Sequence, residues 1–114
     1  MVGIDLLKSS RFEKKSKSFF QKYFTDNEIN YAKTRKCFSE TICGIFASKE
    51  AFFKALGIGI LNGFSMKDVE VLHDINGAPI LKISSEIKKK FKIKKISLSI
   101  SHDSDFAIAI CQIN

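Results

Sequence analysis

Hydrophobic and polar positions divide the chain into a helical first half and a strand-rich second half. In the first half, apolar residues recur every three or four positions, which is the period of an amphipathic helix. In the second half they fall in short runs, some alternating with polar residues, as strands do. A short apolar run at residues 2–7 precedes the helices and reads as a buried strand. This order predicts an α+β fold.

Start and stop signals mark three helices, which we predict over residues 10–24, 25–35 and 39–57. Ser10 with Glu13, and Thr25 with Glu28, have the spacing of a capping box, in which two side chains satisfy free amides at a helix start. Gly57 suits the left-handed residue that ends a helix. The glycine-rich run at 57–63 resembles a phosphate loop only loosely, since it follows a helix and lacks the Gly-Lys-Ser/Thr ending.

The second half predicts a mainly antiparallel sheet with one short basic helix. The strands are expected at residues 67–72, 79–83, 96–100 and 106–113, and the helix at residues 84–91. Asn76-Gly77 favours a tight turn between the first two strands, and a polar turn is expected at residues 101–105. A length of 114 residues without an internal repeat or linker suits one domain over residues 1–114.

The chain is basic, with a formal net charge of +7 and lysines clustered at residues 14–17 and 88–95. Such a chain attracts nucleic acid, anionic membranes or acidic proteins, and the sign alone does not choose among them. Each cluster is equally well explained as a solvated face. A small RNA- or DNA-binding module is therefore the alternative function, although no RNP-type aromatic motif, zinc knuckle or helix-turn-helix pattern supports it.

The three cysteines show no metal-binding spacing and are odd in number, which fits free thiols in a reducing cytosol. No signal peptide is recognisable at the N-terminus. No apolar run approaches the roughly 18 residues of a membrane span. We therefore expect a cytoplasmic protein without a membrane partner.

Three charged residues interrupt the apolar run at residues 46–57 of the third helix: Lys49, Glu50 and Lys54. Glu50 and Lys54 are four residues apart and can form an ordinary surface pair, which contributes about 0.2–0.5 kcal/mol. The apolar neighbours argue against full exposure. Asp5 lies in the first strand, where a carboxylate is costly unless it is paired. Asp5 and Glu50 together would suit a hard cation, but the sequence does not show that they meet.

Each of the two histidines is either a chemically active group or an ordinary surface residue. The run Ser101-His102-Asp103 is not a serine hydrolase triad, because adjacent residues point in different directions. His102 is either a sheet-edge residue that binds phosphate or moves a proton, or part of an ordinary surface turn. His73 carries no pattern and reads as a surface residue in the hairpin.

The ordered motifs resemble the holo-[acyl-carrier-protein] synthase family of phosphopantetheinyl transferases. The matching blocks are Gly3-Ile4-Asp5 with Arg11-Phe12, the stretch from Phe46 to Gly57, residues 64–71, Asn76 to Pro79, and Ser99 to His102 with Phe106-Ala107. One position departs from the family pattern: Ile45 stands where an arginine is usual between glycine and phenylalanine. The contact made by that arginine is either missing here or supplied by another residue.

The resemblance implies transfer of the 4′-phosphopantetheine arm of coenzyme A to a serine of apo-acyl carrier protein, with release of 3′,5′-ADP. It implies Mg²⁺ held by Asp5 and Glu50. The implied catalytic residues are Asp5, Glu50, Lys54 and His102, and the implied coenzyme A contacts are Lys49, Lys54, Gly57, Pro79 and His102.

The resemblance also implies an acidic carrier protein as partner and a homotrimer with sites between subunits. Charge placement and the family pattern together indicate Arg11 and Lys15, with Phe46, as the surface that meets the carrier. A non-catalytic scaffold is a third interpretation, and the ordered motif blocks weigh against it.

Overall fold

The computed structural model describes residues 1–58 and 63–114, and it packs one long helix against a three-stranded sheet. In chain order the elements are β1 (Val2–Lys8), α1 (Lys17–Tyr23), α2 (Asp26–Lys33), α3 (Phe38–Leu56), β2 (Val69–His73), β3 (Pro79–Ile83), α4 (Ser85–Lys90), β4 (Ile96–Asp103) and β5 (Phe106–Ile113). Residues 59–62 of the glycine-rich run lie outside the described residues.

The strands form two antiparallel sheets, which confirms the predicted α+β class. The larger sheet has the order β1-β5-β4, so the last strand of the chain lies between the first strand and its own hairpin partner. The smaller sheet is the β2–β3 hairpin. The inward residues of β5 alternate with outward ones and include Ala107 and Ala109, which are small enough for α3 to approach closely.

The predicted boundaries are right where local chemistry decides them. Thr25 and Glu28 form the expected capping box, with the Glu28 amide donating to the Thr25 hydroxyl oxygen at 3.2 Å. Gly57 ends α3 with a left-handed φ of 70°. Both signals act within a few residues, so the sequence contains all the information they need.

The helix predicted from Ser10 was wrong. Residues Ser9–Phe12 form a single 3-10 turn without a side-chain cap, and α1 begins only at Lys17, where Ser16 supplies the cap. The reason is tertiary: the turn buries Phe12 against Phe46, with ring centroids 5.4 Å apart. Burial of Phe12 is therefore favoured over a continuous helix that begins at Ser10.

The first strand is only half buried, which corrects the expectation of a buried strand. Gly3, Asp5 and Leu7 face α3, and the alternate residues face outward. Together with outward residues of β5 they form the outer sheet face, an exposed apolar surface that we define as Ile4, Leu6, Phe106, Ile108 and Ile110. An apolar surface on adjacent strands is typical of an interface.

The polar turn expected at residues 101–105 is shorter than predicted. Strand β4 continues to Asp103, so His102 lies within a strand and pairs with Ala107 of β5. Among the helices in the described ranges, none is both long and apolar enough to cross a bilayer.

Candidate active site

Strand β1 and helix α3 lie in close backbone contact at Gly3. A Cβ atom at Gly3 would lie 2.0 Å from the Ala51 carbonyl oxygen and 2.5 Å from the Ala55 amide nitrogen. Only a residue without a side chain permits this approach. Asp5 is the next inward residue of β1, so its carboxylate points at the second half of α3.

At this crossing Lys54 holds one oxygen of the Asp5 carboxylate. The Lys54 Nζ donates to Asp5 Oδ1 at 2.9 Å and to the Ile4 carbonyl oxygen at 3.2 Å. The hydrogen bond with Asp5 raises the pKa of Lys54, so the ammonium form is favoured. Asp5 is only 8% exposed, and its Oδ2 has no hydrogen-bond partner among the described residues.

Glu50 completes a pair of carboxylates. Burial raises the pKa of Glu50, and the negative charge of Asp5 raises it further, whereas Lys54 and Arg11 act in the opposite direction. Burial thus adds to the repulsion that disfavours two charged carboxylates here. A bound cation would relieve both the repulsion and the unpaired Asp5 oxygen.

The donor set fits magnesium. No cluster of three or more His, Cys, Asp or Glu side chains suited to a metal occurs in residues 1–58 and 63–114. Magnesium does not need one, because it commonly takes one or two protein carboxylates and completes its shell with water and substrate phosphates. Asp5 and Glu50 supply two such carboxylates.

Lys49 lies apart from Asp5, Glu50 and Lys54, and its predicted contact with coenzyme A stays a prediction. Its side chain has no exposed surface, and its Nζ donates to Glu28 Oε1 at 2.6 Å and to the Tyr23 carbonyl oxygen at 3.0 Å. Burial lowers the pKa of Lys49, while the Glu28 charge opposes that shift. A lysine enclosed in this way is engaged by the protein itself.

The buried ion pair joins three elements. The second oxygen of Glu28 accepts from the Val71 amide at 2.7 Å, and its first oxygen also accepts from the Thr25 amide at 2.9 Å. One side chain therefore fastens α2 to α3 and to β2. The capping-box spacing identified Glu28 as a helix cap, but nothing local indicated a partner 21 positions away.

A groove with a basic rim lies where the Ser9–Phe12 turn and α1 meet α3. It measures about 570 Å³ and is lined by Arg11, Phe12, Lys15, Phe19, Lys22, Tyr23, Phe46, Phe64, Ser65 and Met66. We call it the aromatic groove. The three residues predicted to meet the partner line it together. Arg11 on its rim also acts on Glu50, because its positive charge opposes the rise in the pKa of that carboxyl.

A second groove, here called the histidine groove, lies near the first half of α3. It measures about 300 Å³ and is lined by Tyr31, Arg35, Thr41, Gly44, Ile45, His73, Gly77, Pro79, Ile100 and His102. His102 Nε2 lies 3.1 Å from the Glu40 carbonyl oxygen. Gly44 makes room for the imidazole, since a Cβ there would lie 3.0 Å from Nε2.

The predicted site residues thus form separate groups. Asp5, Glu50 and Lys54 meet at the second half of α3, whereas His102 and Pro79 line the histidine groove. Gly44 and Glu50 are six positions apart, which is about 9 Å along the helix axis. Gly57 ends α3, one turn beyond Lys54.

His73 is not the plain surface residue that the sequence suggested. Its ring stacks on Tyr31 with centroids 3.9 Å apart and planes 7° from parallel. Burial lowers the pKa of His73, and the charge of Arg35 lowers it further. The stack joins the end of α2 to the end of β2, a pairing that no local spacing reveals.

Comparison with known proteins gives one consistent result. The family model of the 4′-phosphopantetheinyl transferase superfamily matches residues 1–111. A holo-[acyl-carrier-protein] synthase of Aliarcobacter butzleri is 41% identical over 114 residues, covering 96% of this chain and 93% of the relative.

Solved structures agree with the sequence matches. The chain resembles the Helicobacter pylori holo-[acyl-carrier-protein] synthase in complex with coenzyme A, with a TM-score of 0.91, 36% identity and full coverage of both chains. It also resembles the Bacillus anthracis holo-(acyl-carrier-protein) synthase in complex with CoA (3′,5′-ADP), with a TM-score of 0.83, 39% identity and coverage of 98% and 93%.

The two lysines of α3 should differ sharply in their effect on stability. Lys49→Met leaves the buried Glu28 charge unpaired, so we expect the free energy of unfolding to fall by about 3–5 kcal/mol. Lys54→Met removes an ammonium that is 53% exposed but leaves the Asp5 carboxylate, 9% exposed, without its donor, so we expect a smaller loss of about 1–2 kcal/mol. Urea unfolding followed by circular dichroism measures both.

The double variant Glu28→Gln/Lys49→Met is the control, because it removes both buried charges. It should recover part of the stability lost in Lys49→Met. Equal stability of Lys49→Met and Lys54→Met would contradict the buried position of Lys49.

Proposed function

Since the chain belongs to the 4′-phosphopantetheinyl transferase superfamily, we propose that it transfers the 4′-phosphopantetheine group of coenzyme A to a serine of apo-acyl carrier protein. The observation that carries the proposal is the meeting of Asp5, Glu50 and Lys54 where β1 crosses α3. The names of the relatives and the coenzyme A in two similar structures support the same reaction. The match over residues 1–111 supports one transferase domain.

The reaction requires the enzyme to offset negative charge on the phosphates and to position the reacting groups. The carrier serine Oγ forms a bond to the phosphorus that carries pantetheine, while the bond from that phosphorus to 3′,5′-ADP breaks and the serine proton leaves to a base. Magnesium, when held by Asp5 and Glu50, supplies positive charge to the pyrophosphate oxygens. Lys54 adds a protonated donor beside the same carboxylate, so it can stabilise charge on the departing phosphate.

The aromatic groove is the proposed docking surface for the carrier. Arg11 and Lys15 give it a positive rim, and Phe12, Phe19 and Phe46 give it an apolar floor. A positive rim steers an acidic carrier into register, and buried aromatic contacts supply affinity. Arg11 belongs to this rim and its charge also acts on Glu50, which supports docking of the carrier beside the carboxylates.

The outer sheet face is the proposed contact between copies of the chain in a homotrimer. Exposed isoleucine, leucine and phenylalanine side chains from β1 and β5 form it. His102 lines a depression that includes Leu6, Phe106 and Ile108, so a neighbouring copy on this face would reach the edge of the histidine groove. This supports a site shared between subunits.

Three free cysteines support a reducing, cytoplasmic setting.

Glu50→Gln should lower the rate of transfer by at least about 100-fold, because it removes one of two charged ligands while keeping the side-chain shape. The assay mixes enzyme, coenzyme A, magnesium and apo-acyl carrier protein, and detects the phosphopantetheine mass gain on the carrier. Calorimetric titration with magnesium should show weaker binding. Glu86→Gln, on the exposed first turn of α4, is the matched control. Full activity of Glu50→Gln, or salt-sensitive RNA binding without any transfer by the unmodified protein, would overturn the assignment.

Lys15→Glu should raise the KM for the carrier by about 10-fold and leave the KM for coenzyme A unchanged, since a rim charge acts on encounter with the acidic partner. It is a cleaner test than Arg11→Glu, because Arg11 also acts on Glu50. Lys88→Glu makes the same charge change on α4 and should behave as the unmodified enzyme. Equal effects of Lys15→Glu on both substrates would refute the docking surface.

Ile110→Asp should convert the assembly to smaller species, because it places a carboxylate in the middle of the outer sheet face. Sedimentation equilibrium reports the mass. Ile75→Asp is the matched control, since Ile75 is 99% exposed in the β2–β3 turn and lies outside that face. A monomeric unmodified protein would rule out the trimer.

A further inference from the structure

Two aromatic rings connect the aromatic groove to helix α4. Phe64 lines the groove, and its ring centroid lies 6.1 Å from that of Phe91, the residue that follows α4. Both residues are half-buried, so part of each ring meets solvent. The rim of the groove therefore continues past Phe64 onto the end of α4, on a different segment from the one that carries Arg11 and Lys15.

Lys90 places its ammonium on these two rings. Its Nζ lies 5.3 Å from the centroid of Phe64 and 5.8 Å from the centroid of Phe91. Aromatic faces attract a cation, and a lysine stem can lie along apolar surface while its ammonium stays in water. Because Lys90 is exposed, its charge is held at the rim of the groove and faces solvent.

The ammonium of Lys90 is not neutralised within the described chain. Glu86 lies four positions earlier on α4, a spacing at which glutamate and lysine commonly pair. The ion pairs within residues 1–58 and 63–114 are instead those of Lys49 with Glu28 and of Lys54 with Asp5. Lys90 thus turns to the rings and keeps its charge for a partner.

The lysines of α4 differ in direction, so they do not form one uniform surface. Lys90 is three positions after the buried Ile87 and lies near the same side of the helix. Lys88 is two positions before Lys90, which turns it by about 200° around the axis. In the part of the chain that the structure describes, Lys90 is the residue of α4 whose ammonium lies over an aromatic ring. A merely solvated lysine cluster would give Lys88 and Lys90 the same role.

We propose that Lys90, held by Phe64 and Phe91, binds a carboxylate of the acyl carrier protein, so that the carrier is held in the aromatic groove from two sides. This inference rests on the proposed function. Arg11 and Lys15 supply positive charge from the segment around α1, and Lys90 supplies it from α4. An ammonium that is already ordered loses less conformational freedom on binding. Charge from two segments also fixes the orientation of an acidic partner.

Lys90→Glu should raise the KM for the carrier by about 5- to 10-fold, because it replaces an attraction with a repulsion at the rim. The KM for coenzyme A and the kcat at saturating carrier should not change, since Lys90 is not among the charges that act on Glu50. Lys88→Glu is the matched control, because it makes the same change in net charge on the same helix. An equal effect of both variants would show that net charge alone matters and would overturn the assignment.

Two further variants separate the charge of Lys90 from its packing. Lys90→Met keeps a stem on the rings but removes the ammonium, so the KM for the carrier should rise by about 2- to 4-fold. Lys90→Arg keeps a cation over the rings and should stay near the unmodified enzyme. A KM that is raised in Lys90→Arg as much as in Lys90→Glu would mean that the role is not electrostatic.

The double variant Lys15→Glu/Lys90→Glu tests whether the carrier is held from two sides. Lysines that bind separate carboxylates act independently, so the factors by which they raise the KM should multiply. A double variant no worse than Lys15→Glu alone would mean that both lysines act on one group of the carrier, which contradicts a two-sided grip.

The outcomes also separate this inference from the proposed function. If Lys90→Glu transfers phosphopantetheine with an unchanged KM, or weakens binding of a single-stranded RNA but not of the carrier, the assignment of Lys90 is wrong and the transferase function stands. If the unmodified protein transfers nothing, the proposed function fails. Calorimetric titration with apo-acyl carrier protein then still decides the role of Lys90. Weaker binding by Lys90→Glu than by Lys88→Glu supports that role, whereas equal binding, or no binding by the unmodified protein, overturns it.

Discussion

The backbone of β1 touches the backbone of α3, and the carboxylate site depends on that contact. Without a side chain at Gly3, the strand lies close enough to the helix for Asp5 to meet Lys54 and to act on Glu50. The small residues of β5 and the small residues of α3 extend the same close approach. A site for a hard cation needs two carboxylates whose charges act on each other, and here the charge of Asp5 raises the pKa of Glu50.

The two lysines of α3 show how one motif serves both packing and chemistry. They are five positions apart on one helix, so they point in different directions around its axis. Lys49 is turned towards α2 and β2, where Glu28 compensates its charge. Lys54 is turned towards β1 and solvent, where its charge is available to a substrate. The buried pair of Lys49 and Glu28 fixes the position of α3, and α3 in turn presents Lys54 to solvent.

The sequence predicts the ends of helices correctly where a few adjacent residues determine them. The Thr25 cap and the Gly57 stop need only local geometry, and both are as predicted. The predicted helix start at Ser10 was wrong, because burial of Phe12 outweighed a local cap. The buried position of Lys49 was not predicted, because a motif gives residue order but not side-chain direction. The stack of Tyr31 on His73 joins positions 42 apart, and no periodicity connects them.

The order of the larger sheet has a consequence for how the protein is made. Asp5 lies in β1, which is synthesised well before its pairing partner β5. On a growing chain β1 therefore cannot complete its sheet, and the carboxylate site with it, until β5 has been synthesised. Until then the backbone edge that β1 presents to β5 is unpaired, and such unpaired edges are prone to aggregation. Pairing across almost the whole chain also closes a long loop, which slows folding. Premature termination just before β5 should thus yield an inactive fragment that depends on chaperones or proteases for its removal.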